Sequence, residues 1–76
     1  MNHALNLKLA HVDGALLRVL GVTERRGWAT QSLRAEARSE QQTLALRLTV
    51  LGDRPVELLV RQLAKLHDVH AVEVAA

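Results

Sequence analysis

Leucine occupies every second position near the start of the chain: Leu5, Leu7 and Leu9 fall on one side of an extended segment and Asn6 and Lys8 on the other, which predicts a half-buried strand over 3–10. The period then lengthens. Leu16, Val19, Leu20 and Thr23 recur at helical spacing, Asp13 stands where a side-chain cap would begin a helix, and Gly27 supplies a left-handed stop, so a first helix is expected from Gly14 to Arg26. Beyond Trp28 alternation returns, with Leu33, Ala35 and Ala37 against Arg34, Glu36 and Arg38, and the polar Ser39–Gln42 stretch reads as a hairpin turn. Leu44, Leu46, Leu48 and Val50 alternate with Ala45, Arg47 and Thr49, the clearest two-residue period in the chain, ending at Leu51 and Gly52. Asp53 and Pro55 announce a second helix striped by Val56, Leu59, Val60, Leu63 and Leu66. His70, Val72 and Val74 against Ala71 and Glu73 predict a last strand.

The order βαββαβ, with right-handed crossovers, predicts an α+β ferredoxin-like sandwich: an antiparallel sheet in the order 4-1-3-2 with both helices on one face. Asn6, Lys8, Arg34, Glu36, Arg47, Thr49 and Glu73 would then share the uncovered face, where water solvates them. Leu17, Val22 and Leu58 fall outside the core stripes of the helices. They are either ordinary surface residues or a contact with another subunit. No linker or low-complexity stretch interrupts the pattern, and one domain over 1–76 is expected.

A chain of 76 residues buries only ~60% of its unfolded surface, and with no cysteine it has neither a disulfide staple nor a thiolate. Association with a partner or with a second copy is therefore expected. No apolar run approaches the ~20 residues that span a bilayer, and Met1 leads into Asn2 and His3 rather than a signal peptide, so the expected compartment is the cytoplasm, with no membrane partner. Ten basic against eight acidic residues leave a net charge of +2, too thin and too scattered for nucleic acid, and Trp28 is the only aromatic platform. His67 and His70 straddle the predicted end of the second helix, so their rings need not share a face, and no metal site is expected. No glycine-rich elbow surrounds Ser32 or Ser39, and Gly14, Gly21, Gly27 and Gly52 are isolated, which leaves neither a nucleophile nor a phosphate loop. What remains is the turn before the first helix. Gly14 either simply makes that turn or lets a ligand carboxylate approach the free N–H groups of the helix start.

The run His11-Val12-Asp13-Gly14-Ala15-Leu16-Leu17-Arg18-Val19-Leu20-Gly21, followed by Arg26-Gly27-Trp28 and Ser32-Leu33, resembles the ACT domain of the regulatory small subunits of acetolactate (acetohydroxyacid) synthase. That family reads Asn-x-x-Gly-x-Leu-x-Arg-Val-x-Gly, four variable residues, then Arg-Gly-aromatic-Asn-Ile-x-Ser-Leu. The resemblance implies a non-catalytic subunit that binds and activates a large catalytic subunit in branched-chain amino-acid biosynthesis. It implies no cofactor in this chain, with thiamine diphosphate, magnesium and FAD in the catalytic partner. It also implies a homodimer through ACT domains and a branched-chain amino-acid effector such as valine, held between the turn before the first helix of one copy and the start of the second strand of its neighbour. Carried over, the effector residues are His11, Asp13, Gly14, Ala15, Leu16, Ala29 and Thr30, and Arg18 and Trp28 join Leu17, Val22 and Leu58 as subunit-contact candidates. Two departures stand out: His11 replaces the family's turn asparagine, and Ala29-Thr30 replace its asparagine and isoleucine. Alanine cannot hydrogen-bond an amino acid's charged ends, so weak or absent valine feedback is expected. The second domain of longer small subunits is also absent from these residues. The other reading is a stand-alone ACT module that senses an amino acid and regulates another enzyme or a transcription factor.

Overall fold

In the computed structural model, which describes residues 1–75, the elements are β1 (Asn2–Ala10), α1 (Ala15–Arg25), β2 (Ala29–Arg38), β3 (Thr43–Leu51), α2 (Val56–Ala64) and β4 (Val69–Val74). All neighbouring strands run antiparallel in the order β2-β3-β1-β4, as the sequence predicts. The register explains the leucine alternation. Leu5, Leu7 and Leu9 lie opposite Leu48, Leu46 and Leu44, so both central strands turn their leucines to the same face. There they meet Val19 of α1 and Val56, Leu59 and Leu63 of α2, and the cluster excludes water from apolar surface worth ~1.5–3 kcal/mol for each large side chain. The opposite face carries Lys8, Arg34, Glu36, Arg47 and Glu73 in solvent, with Asn6 and Thr49 partly covered.

Two irregularities depart from the expected periods. The β2–β3 register slips between Thr30 and Ser32, leaving Gln31 as a bulge, which is why Ala29–Ser32 shows no alternation although it is strand. A second slip between Lys8 and Leu9 of β1 sets Val69 opposite Leu9 and Ala71 opposite Lys8. Val69 and Val72 therefore pack on the core, and His70, expected on their side, is exposed. α1 stops at Gly27, whose φ of +88° suits the left-handed position: Trp28 N–H donates to Thr23 O (3.1 Å) and Gly27 N–H to Glu24 O (3.0 Å), a Schellman closure. α2 ends at Ala64, two residues before Leu66.

Candidate functional site

The β1–α1 turn is held in place from outside itself. Gly14 caps α1 with φ +82°, and no side chain caps the helix; Asp13, expected in that role, sits one residue early, and its carbonyl accepts a hydrogen bond from Arg18 Nη2 at 3.3 Å. Arg18 folds back over the turn so closely that a Cβ on Gly14 would lie 2.8 Å from its Nη1. Its Nε donates to Asp68 Oδ2 at 2.6 Å, and Nη2 reaches the same oxygen. Asp68 precedes β4, is buried, and accepts the Ala10 N–H on its own carbonyl at 2.8 Å. On the other side His11 N–H donates to Gln42 O of the β2–β3 hairpin at 3.0 Å. Sequence reasoning missed Asp68, because a pairing across 50 positions leaves no local signal.

His11, Asp13 and Gly14 are exposed at this turn, whereas the Ala15 side chain is in the core and Leu16 is partly buried against it. Ala29 and Thr30 are elsewhere. Ala10 pairs with Thr43 and Thr43 with Arg38, while Asn2 pairs with Leu51 and Leu51 with Ala29. The start of β2 is thus the full length of β1 away from the turn, roughly 26 Å at ~3.3 Å per residue. Ala29 is exposed, and Thr30 Oγ1 is buried with no hydrogen-bond partner. The two halves of the candidate effector site do not meet within one chain.

The subunit-contact candidates divide. Leu17 and Leu58 are 73% and 50% exposed on the helices. Val22 instead packs against the core, and Trp28, 3% exposed, lies inside it. The ring of Trp28 fills the space left by Gly52, where a Cβ would come within 2.5 Å of Cε3, and His3 meets it edge-on at 5.8 Å between centroids. Val22 is thus partly covered and Trp28 almost wholly so within the single chain. Arg18 is half exposed but committed to Asp68. An apolar row not singled out as a contact from the sequence is nonetheless open: Leu33, Ala35 and Ala37 of β2 face the helix side of the sheet, yet both helices leave them exposed. Among the described residues no three His, Asp or Glu side chains gather as a metal site, and no helix is long and apolar enough to cross a membrane.

A family model described as the ACT domain matches residues 11–72. The acetolactate synthase isozyme 2 small subunit of Escherichia coli K12 is 38% identical over 74 residues, covering 97% of this chain and 85% of that protein. The chloroplastic acetolactate synthase small subunit 2 of Arabidopsis thaliana is also 38% identical over 74 residues, 95% of this chain but 15% of the plant protein. Among solved structures, the acetolactate synthase small subunit of Thermotoga maritima superimposes with a TM-score of 0.85 at 23% identity, over 97% of this chain and 47% of that one. The ACT domain of the Chlorobium tepidum GTP pyrophosphokinase superimposes at 0.82 with 14% identity, over 99% and 97%. At these identities the two structures bear on the fold alone.

Proposed function

The chain belongs to the ACT domain family, among the acetolactate synthase small subunits, and from that premise we propose that it is a single-ACT regulatory subunit that binds and activates a large acetolactate synthase subunit in the cytoplasm. The observation that supports this reading most is the 38% identity to a small subunit across 97% of the chain. Thiamine diphosphate, magnesium and FAD belong, on this reading, to the catalytic partner.

Regulation in this proposal needs two copies. β2 is an edge strand of ten residues with no proline, and its row Leu33, Ala35 and Ala37 is exposed, a surface suited to adding a strand from a second chain. Two-fold pairing of β2 with its counterpart is antiparallel. It therefore brings the start of β2 of one copy to the end of the joined sheet that carries the other copy's β1–α1 turn. The effector would sit there, between His11, Asp13, Gly14 and the first α1 amides on one side and Ala29 and Thr30 on the other. With alanine at 29 the site lacks an amide to hold the ligand's charged ends, so valine should bind weakly or not at all. Calorimetric titration with valine, leucine and isoleucine tests this, and micromolar binding would overturn it. Activation is tested by adding the chain to a large subunit and following acetolactate production; a rate that stays unchanged at saturating protein refutes the reading.

A further inference from the structure

Between the end of α1 and the start of α2 lies a cleft of about 150 Å³ lined by Arg26, Trp28, Arg54, Leu58, Leu59 and Gln62. Its apolar part is Trp28 and Leu59, both buried, with Leu58 half exposed beside them. Two guanidinium groups stand at its rim, Arg26 held by a hydrogen bond and Arg54 lying over Gly27. Arg26 Nη2 donates to Gln62 Oε1 at 2.9 Å, and the Arg54 guanidinium carbon lies 3.7 Å from where a Cβ on Gly27 would be. No carboxylate lines the cleft, and neither arginine forms an ion pair among the described residues. The end of α1 does not require them either, since its last carbonyls accept the N–H groups of Arg26, Gly27 and Trp28. Two cations over an apolar floor, with no internal anion, are the complement of a small amphiphilic anion.

We propose that this cleft binds a short aliphatic carboxylate that carries no ammonium group. Size sets the first limit: a cleft of about 150 Å³ matches a ligand of about six heavy atoms, the size of butyrate. Charge sets the second. An α-ammonium here would sit beside two guanidinium groups with no carboxylate in the lining to balance it. The cleft is thus chemically unlike the amino-acid site proposed at the turn, and it is complete within one chain.

Trp28 is the chain's only tryptophan and lines the cleft, so its emission reports occupancy directly. Titration of the full chain with butyrate should change that emission saturably, with acetate weaker and with valine and inorganic phosphate giving no saturable change. Arg26→Gln and Arg54→Gln should each weaken half-saturation by about tenfold, as loss of a charge-assisted hydrogen bond does, with the circular dichroism spectrum unchanged. A flat titration with butyrate, a wild-type midpoint in either variant, or valine or phosphate matching butyrate would each overturn the proposal.

Discussion

Replacing Arg18 by alanine tests whether the β1–α1 turn is held by its tie to Asp68 or stands by itself. The Asp68 side chain is 11% exposed and accepts Nε at 2.6 Å together with Nη2. Removing the guanidinium leaves that carboxylate almost buried, with the exposed His67 ring 3.9 Å from its other oxygen. Hydrogen bonds to charged groups contribute ~1.5–3 kcal/mol, but the Arg18 side chain is 50% exposed and water recovers part of the loss, so the net cost should be about 1–2 kcal/mol. For a domain of this size each kcal/mol lowers the melting temperature by ~4–8 °C, giving a fall of roughly 5–15 °C for Arg18→Ala. Asp68→Asn keeps the backbone carbonyl that accepts from Ala10 and removes only the charge. Thermal melts of both single variants and the double should show a coupling of about 1 kcal/mol, and Arg18→Lys, which keeps charge without the planar fork, should fall between. Amide exchange at Ala10 and His11 should speed up in Arg18→Ala. If the double variant loses the sum of the singles, the tie carries no coupling and the reasoning fails.

Gly52→Ala should be destabilising although it adds one methyl group, since the new Cβ would come 2.5 Å from Trp28 Cε3 and 2.8 Å from Cδ2, atoms of a buried rigid ring. Overpacking of this kind costs ~1–3 kcal/mol, read as a lower urea midpoint, and an unchanged midpoint would show that Trp28 is free to shift. Ala29→Asn should increase valine affinity measured by calorimetry by about tenfold through the amide it restores, and an absence of heat would place the cause of weak binding elsewhere.

Strict periods were legible wherever no second constraint intervened. Leu44 to Val50 alternate because β3 is central and flanked by β1 and β2, and Gly27 ends α1 because the Schellman turn needs a positive φ. What the sequence concealed was of two kinds. Bulges at Gln31 and opposite Lys8 and Leu9 reset the pleat, so His70 left the core side and Ala29–Ser32 gave no signal. Long-range packing decided the rest: Trp28 lies against the missing side chain of Gly52, and Arg18 is held over the turn by Asp68, neither of which a local window can register. The turn half of the candidate site was therefore legible as residue types, but the support of that turn was not.

On the proposed reading, in which the effector bridges two half-sites that do not meet within one chain, dimerisation and amino-acid sensing are a single property, while binding in the arginine-lined cleft needs one copy only. Leu33→Glu separates them. Leu33 is 40% exposed on the edge strand, opposite Leu48, so a carboxylate there places like charges of two copies against each other across a paired β2 edge while leaving the α1–α2 cleft untouched. Sedimentation should show a dimer weakened by at least about tenfold, the fold intact by circular dichroism, and any residual amino-acid binding lost with the dimer. The butyrate response of Trp28 should persist at the wild-type midpoint. An unchanged dimer would refute pairing through β2, and a cleft response that vanishes with the dimer would mean that the cleft is completed by the second copy.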